Sequence, residues 1–146
     1  MGERIEPLSA AEYSTVAEAL LELVRQYPEM AGLTPEYDAL DVNKSLAVFV
    51  AGGRIKKRNV IGGFTAEVNF SVAYKSHPRT SEERIDRQEF VGEIVRWLEN
   101  VRDLPHLTDG RTVTNITAVG VPYKDEVEKD GSTVYYADAV MEYESE

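Results

Sequence analysis

The chain has 146 residues, of which 42% are hydrophobic and 29% charged, and its formal net charge is −10. This length predicts one domain, residues 1–146, with a substantial core. The absence of cysteine excludes disulfide scaffolds, cysteine-ligated metal sites and thiol catalysis. No segment approaches the roughly 18 apolar residues of a membrane span, and residues 1–13 lack a secretory signal pattern. We therefore expect a soluble protein with no membrane partner.

The first predicted element is a helix over residues 10–27. Ser9 and Glu12 have the spacing of a capping box, in which the glutamate side chain reaches back to the start of the helix. Apolar residues then recur at helical spacing until Pro28, which ends the pattern. Residues 28–43 contain prolines and a glycine, and they predict a connecting loop.

Two strands are predicted next, on either side of a glycine-bracketed segment. Residues 45–51, "SLAVFVA", form a short β-branched and aromatic run that predicts a strand. Residues 64–75 alternate with period two, which predicts a long strand with one buried and one solvated face. These strands flank "AGGRIKKRNVIGG", so they predict an antiparallel hairpin whose long tip forms a hairpin arm, residues 52–63.

A second helix and a bulged strand follow. Thr80 begins another capping-box sequence, and an apolar stripe over residues 85–101 predicts a helix. Gly92 lies inside this helix, where glycine is unfavourable, so we expect it to pack closely against a neighbouring element. Alternation over residues 113–121 slips near Asn115, which predicts a strand with a β-bulge.

The last predicted strand completes an α-ββ-α-ββ order. It is "STVYYADAVMEYE", residues 132–144, and its alternation places Tyr135 and Tyr136 on opposite faces. Two hairpins can join as one sheet whose apolar face is covered by both helices. We therefore predict an α+β fold, with one mostly antiparallel sheet, two helices packed on one face and a long β-hairpin arm.

The sequence contains no recognisable motif for catalysis or cofactor binding. The glycine-bracketed segment lacks the phosphate-loop signature and leads into a strand instead of a helix. His77 and His106 each lie in a proline-containing connection, without a second ligand at metal spacing. Neither the acids nor the serines form a recognisable catalytic constellation. We predict no enzymatic activity, no metal and no cofactor.

Charge is divided unevenly along the chain. Residues 1–43 carry nine acids and two bases, whereas residues 44–79 carry one acid and seven bases. Segments of opposite charge favour contacts between copies or with other charged partners. The alternative is that charged residues serving only solubility are distributed unevenly along the chain. The four cations of the hairpin arm belong to the basic segment. Beside them, Ile55, Val60 and Ile61 offer apolar contacts.

Three interpretations of the arm stay open: a nucleic-acid patch, a mobile surface loop and an assembly arm. The assembly arm requires the fewest assumptions, and under it we expect reversal of Lys56, Lys57 and Arg58 to glutamate to impair assembly but leave the isolated fold intact. Tyr136 is added as a contact because tyrosine is enriched at interfaces, with the edge of the core as the alternative. The candidate partner contacts are Arg54, Ile55, Lys56, Lys57, Arg58, Val60, Ile61 and Tyr136.

Three segments carry a family resemblance: "GGFTAEVNFSVAYKS", "RIDRQEFVGEIVRWLENV" and "LTDGRTVTNITA". They resemble small proteins of phage and prophage morphogenesis clusters that are described as minor capsid or tail-completion proteins. The resemblance covers roughly residues 45–146, and its motifs mark structural positions instead of a catalytic signature. The α-ββ-α-ββ order is also similar to that of the tail terminator proteins of long-tailed phages.

The resemblance implies a structural virion protein with no active site. Its subunits are expected to form a homo-oligomer, a hexameric ring, that caps the tail tube and performs head–tail joining to the connector or neck. The implied partners are the tail tube protein and a connector or neck protein, with nucleic acid only in the ring lumen. The implied location is the virion of a phage with either tail type, or a phage-derived particle, after synthesis in the bacterial cytoplasm. It also implies that the 52–63 hairpin reaches a neighbouring subunit or the tube.

A second function stays open beside this one. A small acidic α/β protein with an amphipathic helix is also suited to act as a chaperone or adaptor that holds an extended client protein. An open apolar groove and a stable complex with a client would favour that alternative.

Overall fold

The computed structural model describes residues 6–29, 35–37, 40, 45–100, 106–108, 110–125 and 131–146. Its elements follow the predicted order, with three short strands added. They are β1 (Glu6–Pro7), α1 (Ala10–Val24), β2 (Glu36–Tyr37), β3 (Ser45–Arg58), β4 (Phe64–Ser76), α2 (Ser81–Asn100), β5 (His106–Thr108), β6 (Arg111–Lys124) and β7 (Thr133–Ser145).

The strands form one sheet in the order β1-β3-β4-β7-β6-β5, and β2 also pairs with β3. All of these pairs are antiparallel except β2–β3, which is parallel. The central pair, β4 and β7, keeps one register from Phe64↔Ser145 to Ser76↔Thr133. The predicted α+β fold with a mostly antiparallel sheet is confirmed.

The short strands were not predicted. Strand β2 lies within residues 28–43, the predicted loop, and pairs Glu36 with Ala47 of β3. Two- and three-residue strands are too short to produce a recognisable alternation, and pairing with a longer neighbour defines them instead. Residues 30–34, 38–39 and 41–43 of that predicted loop lie outside the described residues.

Helix α1 begins and ends for local reasons. The Ser9 hydroxyl accepts a hydrogen bond from the Glu12 N–H at 3.1 Å, as predicted. The helix ends at Val24, three residues before the predicted end. The next residues continue as a tighter turn, because the Gln26 and Tyr27 N–H groups donate to carbonyls three positions earlier.

The Glu12 side chain does not reach back along α1 as the capping-box spacing predicts. Its carboxylate instead forms a bidentate ion pair with Arg111 at the start of β6, with Arg111 Nε donating to Oε1 at 2.8 Å. The Tyr143 hydroxyl of β7 donates to the same Oε1 at 2.8 Å. A guanidinium offers this carboxylate stronger hydrogen bonds than a backbone amide does. The network links the first turn of α1 to strands β6 and β7 of the sheet.

Both helices pack on one face of the sheet. The alternate β4 residues from Ala66 to Tyr74 are buried under them, as predicted. The end of α1 meets α2 through Tyr27, whose ring lies edge-on to Phe90 and Trp97 at centroid distances of 6.4 and 5.6 Å. The main contributors to the core are Val16, Leu20, Leu23, Val24, Leu46, Val48, Phe70, Val72, Val91, Ile94, Val95, Leu98, Tyr135, Met141 and Tyr143.

Strand β6 carries two β-bulges. The first lies between Val113 and Asn115, which confirms the predicted bulge. The second, between Val119 and Tyr123, was not predicted. The second bulge places Pro122 against α2, so that a Cβ added to Gly92 would lie 2.7 Å from the Pro122 Cγ. The predicted close packing at Gly92 is therefore confirmed, and the bulge supplies the neighbour.

Candidate assembly surfaces

The hairpin arm is shorter than residues 52–63. Strand β3 runs through the cations to Arg58, and its register with β4 continues to Arg58↔Phe64. A bulge accommodates Gly52, whose φ of 147° disfavours other residues, and a Cβ on Gly53 would lie 2.8 Å from the Leu8 side chain. In the first glycine pair, Gly52 thus permits a bulge and Gly53 permits a close contact. The predicted hairpin is confirmed, but its unpaired part is only residues 59–63, the hairpin tip.

Three of the four predicted contact cations are engaged within the chain. Arg54 Nε lies 2.6 Å from Glu67 Oε1 on β4, and Lys56 Nζ lies 2.9 Å from Glu142 Oε1 on β7. The hydrogen bond to the Glu142 carboxylate raises the pKa of Lys56. Neighbouring strands bring these acids alongside the cations, because β4 lies between β3 and β7 in the sheet.

Arg58 makes the third internal pair, with Glu6 of β1. Its Nε and Nη2 donate to the two Glu6 oxygens at 2.8 and 2.6 Å, and its guanidinium lies 5.8 Å from the centre of the Phe64 ring. The hydrogen bonds from Arg58 lower the pKa of Glu6. Within the described part of the chain, Lys57 is the one hairpin cation without such a partner. It lies opposite Thr65, on the sheet face away from the helices.

The apolar candidates of the hairpin divide into two kinds. Val60 and Ile61 at the tip are 106% and 92% exposed. Ile55 is half-buried opposite Ala66 on the helix-covered face. The tip thus presents two adjacent, fully exposed apolar side chains near one available cation, and such a group is a candidate contact for another protein.

Tyr136 lies on the open face of the sheet, opposite to Tyr135, as predicted. Its ring stacks on that of Tyr123, with centroids 5.4 Å apart. Tyr123 and Ser71 donate hydrogen bonds to Asp138 at 3.2 and 2.6 Å, so this cluster is already ordered. The register pairs Tyr136 with Ala73, far along β4 from Phe64 and the tip. Tyr136 and the hairpin candidates therefore do not form one surface.

A second candidate surface was not predicted from the sequence. It is a groove of about 440 Å³ between helix α2 and the second bulge of β6, hereafter the α2–β6 groove. Ile85, predicted in the buried stripe of α2, is 60% exposed there, and Val121 in the bulge is 77% exposed. Gln88 joins the two walls of the groove, because its amide donates to the Pro122 carbonyl at 3.0 Å. Its lining residues are Ile85, Gln88, Glu89, Gly92, Glu93, Arg96 and Pro122.

Across the described ranges, no group of three or more His, Asp or Glu residues is arranged to hold a metal ion. No helix in the part of the chain described here has both the length and the apolar character needed to cross a bilayer. The His106 side chain, one of the two histidines considered from the sequence, lies outside the described residues.

The fold has a solved counterpart. No protein-family model matches the chain, and a search of curated proteins by sequence also finds no match. Among solved structures, the chain is similar to one from the virion of a native gene transfer agent particle. The TM-score is 0.63 at 14% sequence identity, and the likeness covers 94% of this chain and 100% of that one. At this identity the likeness shows a shared fold.

Proposed function

We propose that the chain is a structural virion subunit, a tail terminator or tail-completion protein. In this role, copies form a ring, expected to be hexameric, that caps the tail tube and joins it to the head connector or neck. The observation that carries the proposal is the fold shared, over nearly the full length of both chains, with a component of a gene transfer agent virion. The segments that resemble phage tail-completion proteins support the same role independently.

The surfaces of the subunit support assembly. A closed ring built from identical subunits requires two different surfaces on each copy, one for each neighbour. The exposed hairpin tip and the α2–β6 groove are two such surfaces. The proposed role is structural, with the tube protein and a neck protein as further partners in the virion.

The test is the mass of the purified protein in solution, followed over a range of concentrations by light scattering, with negative-stain microscopy of the largest species. We expect discrete rings, either of the free protein or on added tail tubes. A protein that stays monomeric at every concentration and does not bind tubes would contradict the proposal.

One observation favours the alternative, a chaperone or adaptor. The α2–β6 groove is open and partly apolar, and a segment of a client protein has room to bind there. A stoichiometric complex with one defined client, formed by a protein that makes no rings, would favour this function over the virion role.

A further inference from the structure

We propose that the hairpin tip of one copy docks into the α2–β6 groove of the next copy. This inference rests on the proposed ring and names the two surfaces that would build it. The tip supplies Val60 and Ile61, and the groove supplies Ile85 and Pro122. Val121 lines an adjacent hollow together with Gly92 and Pro122. Burial of these exposed apolar side chains against one another makes the main favourable contribution to the free energy of docking.

The hairpin tip of a copy cannot reach the groove of the same copy. The tip adjoins Phe64, which pairs with Ser145, whereas the groove adjoins the row in which Tyr123, Tyr136 and Ala73 pair across the sheet. From Phe64 to Ala73 the strand advances nine residues, which is about 30 Å at the usual rise of a β-strand. The tip and the groove also lie on opposite sides of the central β4–β7 pair. A tip that enters the groove must therefore belong to another molecule.

Charge makes a second copy a suitable occupant. Lys57 lies beside the tip without an ion partner among the described residues. The groove lining contributes two carboxylates, Glu89 and Glu93, against one guanidinium, Arg96. The tip is thus cationic and apolar, whereas the groove is mostly polar, with Ile85 and Pro122 as its apolar part and an excess of negative charge. Such opposite potentials align two surfaces and suppress other registers.

The tip is also shaped before it binds. The Asn59 N–H donates to the Gly63 carbonyl at 2.7 Å, and the Gly62 N–H donates to the Asn59 carbonyl at 3.2 Å. Gly63 lies so close to β7 that a Cβ there would be 2.7 Å from the Ser145 carbonyl oxygen. A tip braced in this way loses little conformational freedom when it docks, which favours binding.

The experiment uses the absence of cysteine from the chain. Ile61→Cys and Ile85→Cys are introduced together, and the assembled protein is oxidised and separated on a non-reducing gel. A disulfide forms only when the two Cα atoms approach within about 7 Å. Because the contact is head-to-tail, the double variant is expected to give a ladder of covalent oligomers, which collapses on reduction.

Each single variant serves as a control. Ile61→Cys alone and Ile85→Cys alone are expected to give no ladder, since each can form only symmetric dimers. Both positions are exposed, so the fold should tolerate them, and circular dichroism checks this. Rings without a ladder would overturn the docking inference while the proposed function stands. A parent protein that forms no rings, with or without tubes, and a double variant that gives no ladder would together overturn both.

Discussion

Glu12 joins helix α1 to the sheet through its ion pair with Arg111. Only 11% of the Glu12 side chain and 22% of the Arg111 side chain are exposed. Glu12→Gln removes the negative charge that pairs with this largely buried guanidinium, and we expect the free energy of unfolding to fall by about 2 kcal/mol. Urea denaturation measures the loss. Glu18→Gln, an exposed change on the same helix, should stay within about 0.5 kcal/mol of the parent protein.

The same carboxylate makes stability depend on pH. Hydrogen bonds from Arg111, with a smaller contribution from Tyr143, lower the pKa of Glu12 in the folded protein. In the unfolded chain a glutamate titrates near pH 4.3, at about its ordinary pKa. The stabilisation is therefore complete above about pH 5 and is lost as the pH falls through the lowered folded pKa. The difference in unfolding free energy between the parent and Glu12→Gln should shrink towards acid pH, and a constant difference would contradict this origin.

The β3–β4 hairpin carries three cations that form ion pairs within the chain and one, Lys57, that has no ion partner among the described residues. Lys56→Glu would place a third carboxylate beside Glu67 and Glu142, and Arg58→Glu would face Glu6. Both changes should lower the urea midpoint of the fold. These ion pairs revise the expectation that a triple reversal leaves the fold intact. Lys57→Glu alone should leave the midpoint unchanged and weaken assembly, as measured by light scattering. Unchanged assembly would make Lys57 an ordinary surface residue.

Helix α2 is fitted to the second bulge of β6 at one glycine. Gly92→Ala gains about 1 kcal/mol of helix propensity, but its Cβ would lie 2.7 Å from Pro122, whose ring cannot turn aside. Overpacking of this kind costs about 1–3 kcal/mol, so we expect a net loss of stability in thermal or urea denaturation. In a Pro122→Ala background the overlap disappears, and the same change should stabilise the protein. A loss in both backgrounds would contradict the steric explanation.

The long elements were predictable because their local patterns report burial directly. Alternation from Phe64 to Tyr74 marks the face that packs under the helices, and the slip near Asn115 marks a bulge. The Lys56–Glu142 ion pair joins residues 86 positions apart, and it depends on the strand order, which no local pattern contains. The stripe of α2 likewise cannot show that Ile85, six residues before buried Val91, is exposed.

At the scale of the whole molecule, the internal ion pairs leave an acidic subunit with two unlike surfaces. The net charge of −10 makes copies repel one another in general, which suppresses unspecific association. Attraction is then confined to places where charge or apolar area is complementary. Three of the four hairpin cations are paired with Glu6, Glu67 and Glu142, so Lys57 and the two apolar residues of the tip remain on the hairpin to select a neighbour.

A head-to-tail contact has a consequence that a symmetric dimer does not share. A tip variant, Ile61→Ser, keeps an intact groove, and a groove variant, Ile85→Lys, keeps an intact tip. Each alone should lose the ability to form rings, because every contact in a ring needs both surfaces. Both positions are exposed, so each variant should stay folded. Mixed in equal amounts, the two should form one-to-one dimers and nothing larger, since a single intact tip meets a single intact groove.

Native mass spectrometry of the two variants, one isotopically labelled, distinguishes the pairs. We expect mixed dimers only, with each variant monomeric when alone. Dimers of one variant with itself would indicate a symmetric interface elsewhere on the subunit. Full rings from either variant alone would show that neither side chain is needed for the contact. The mixed dimer is the specific outcome of docking between unlike surfaces, because it requires that the defect in each partner be confined to the surface the other does not use.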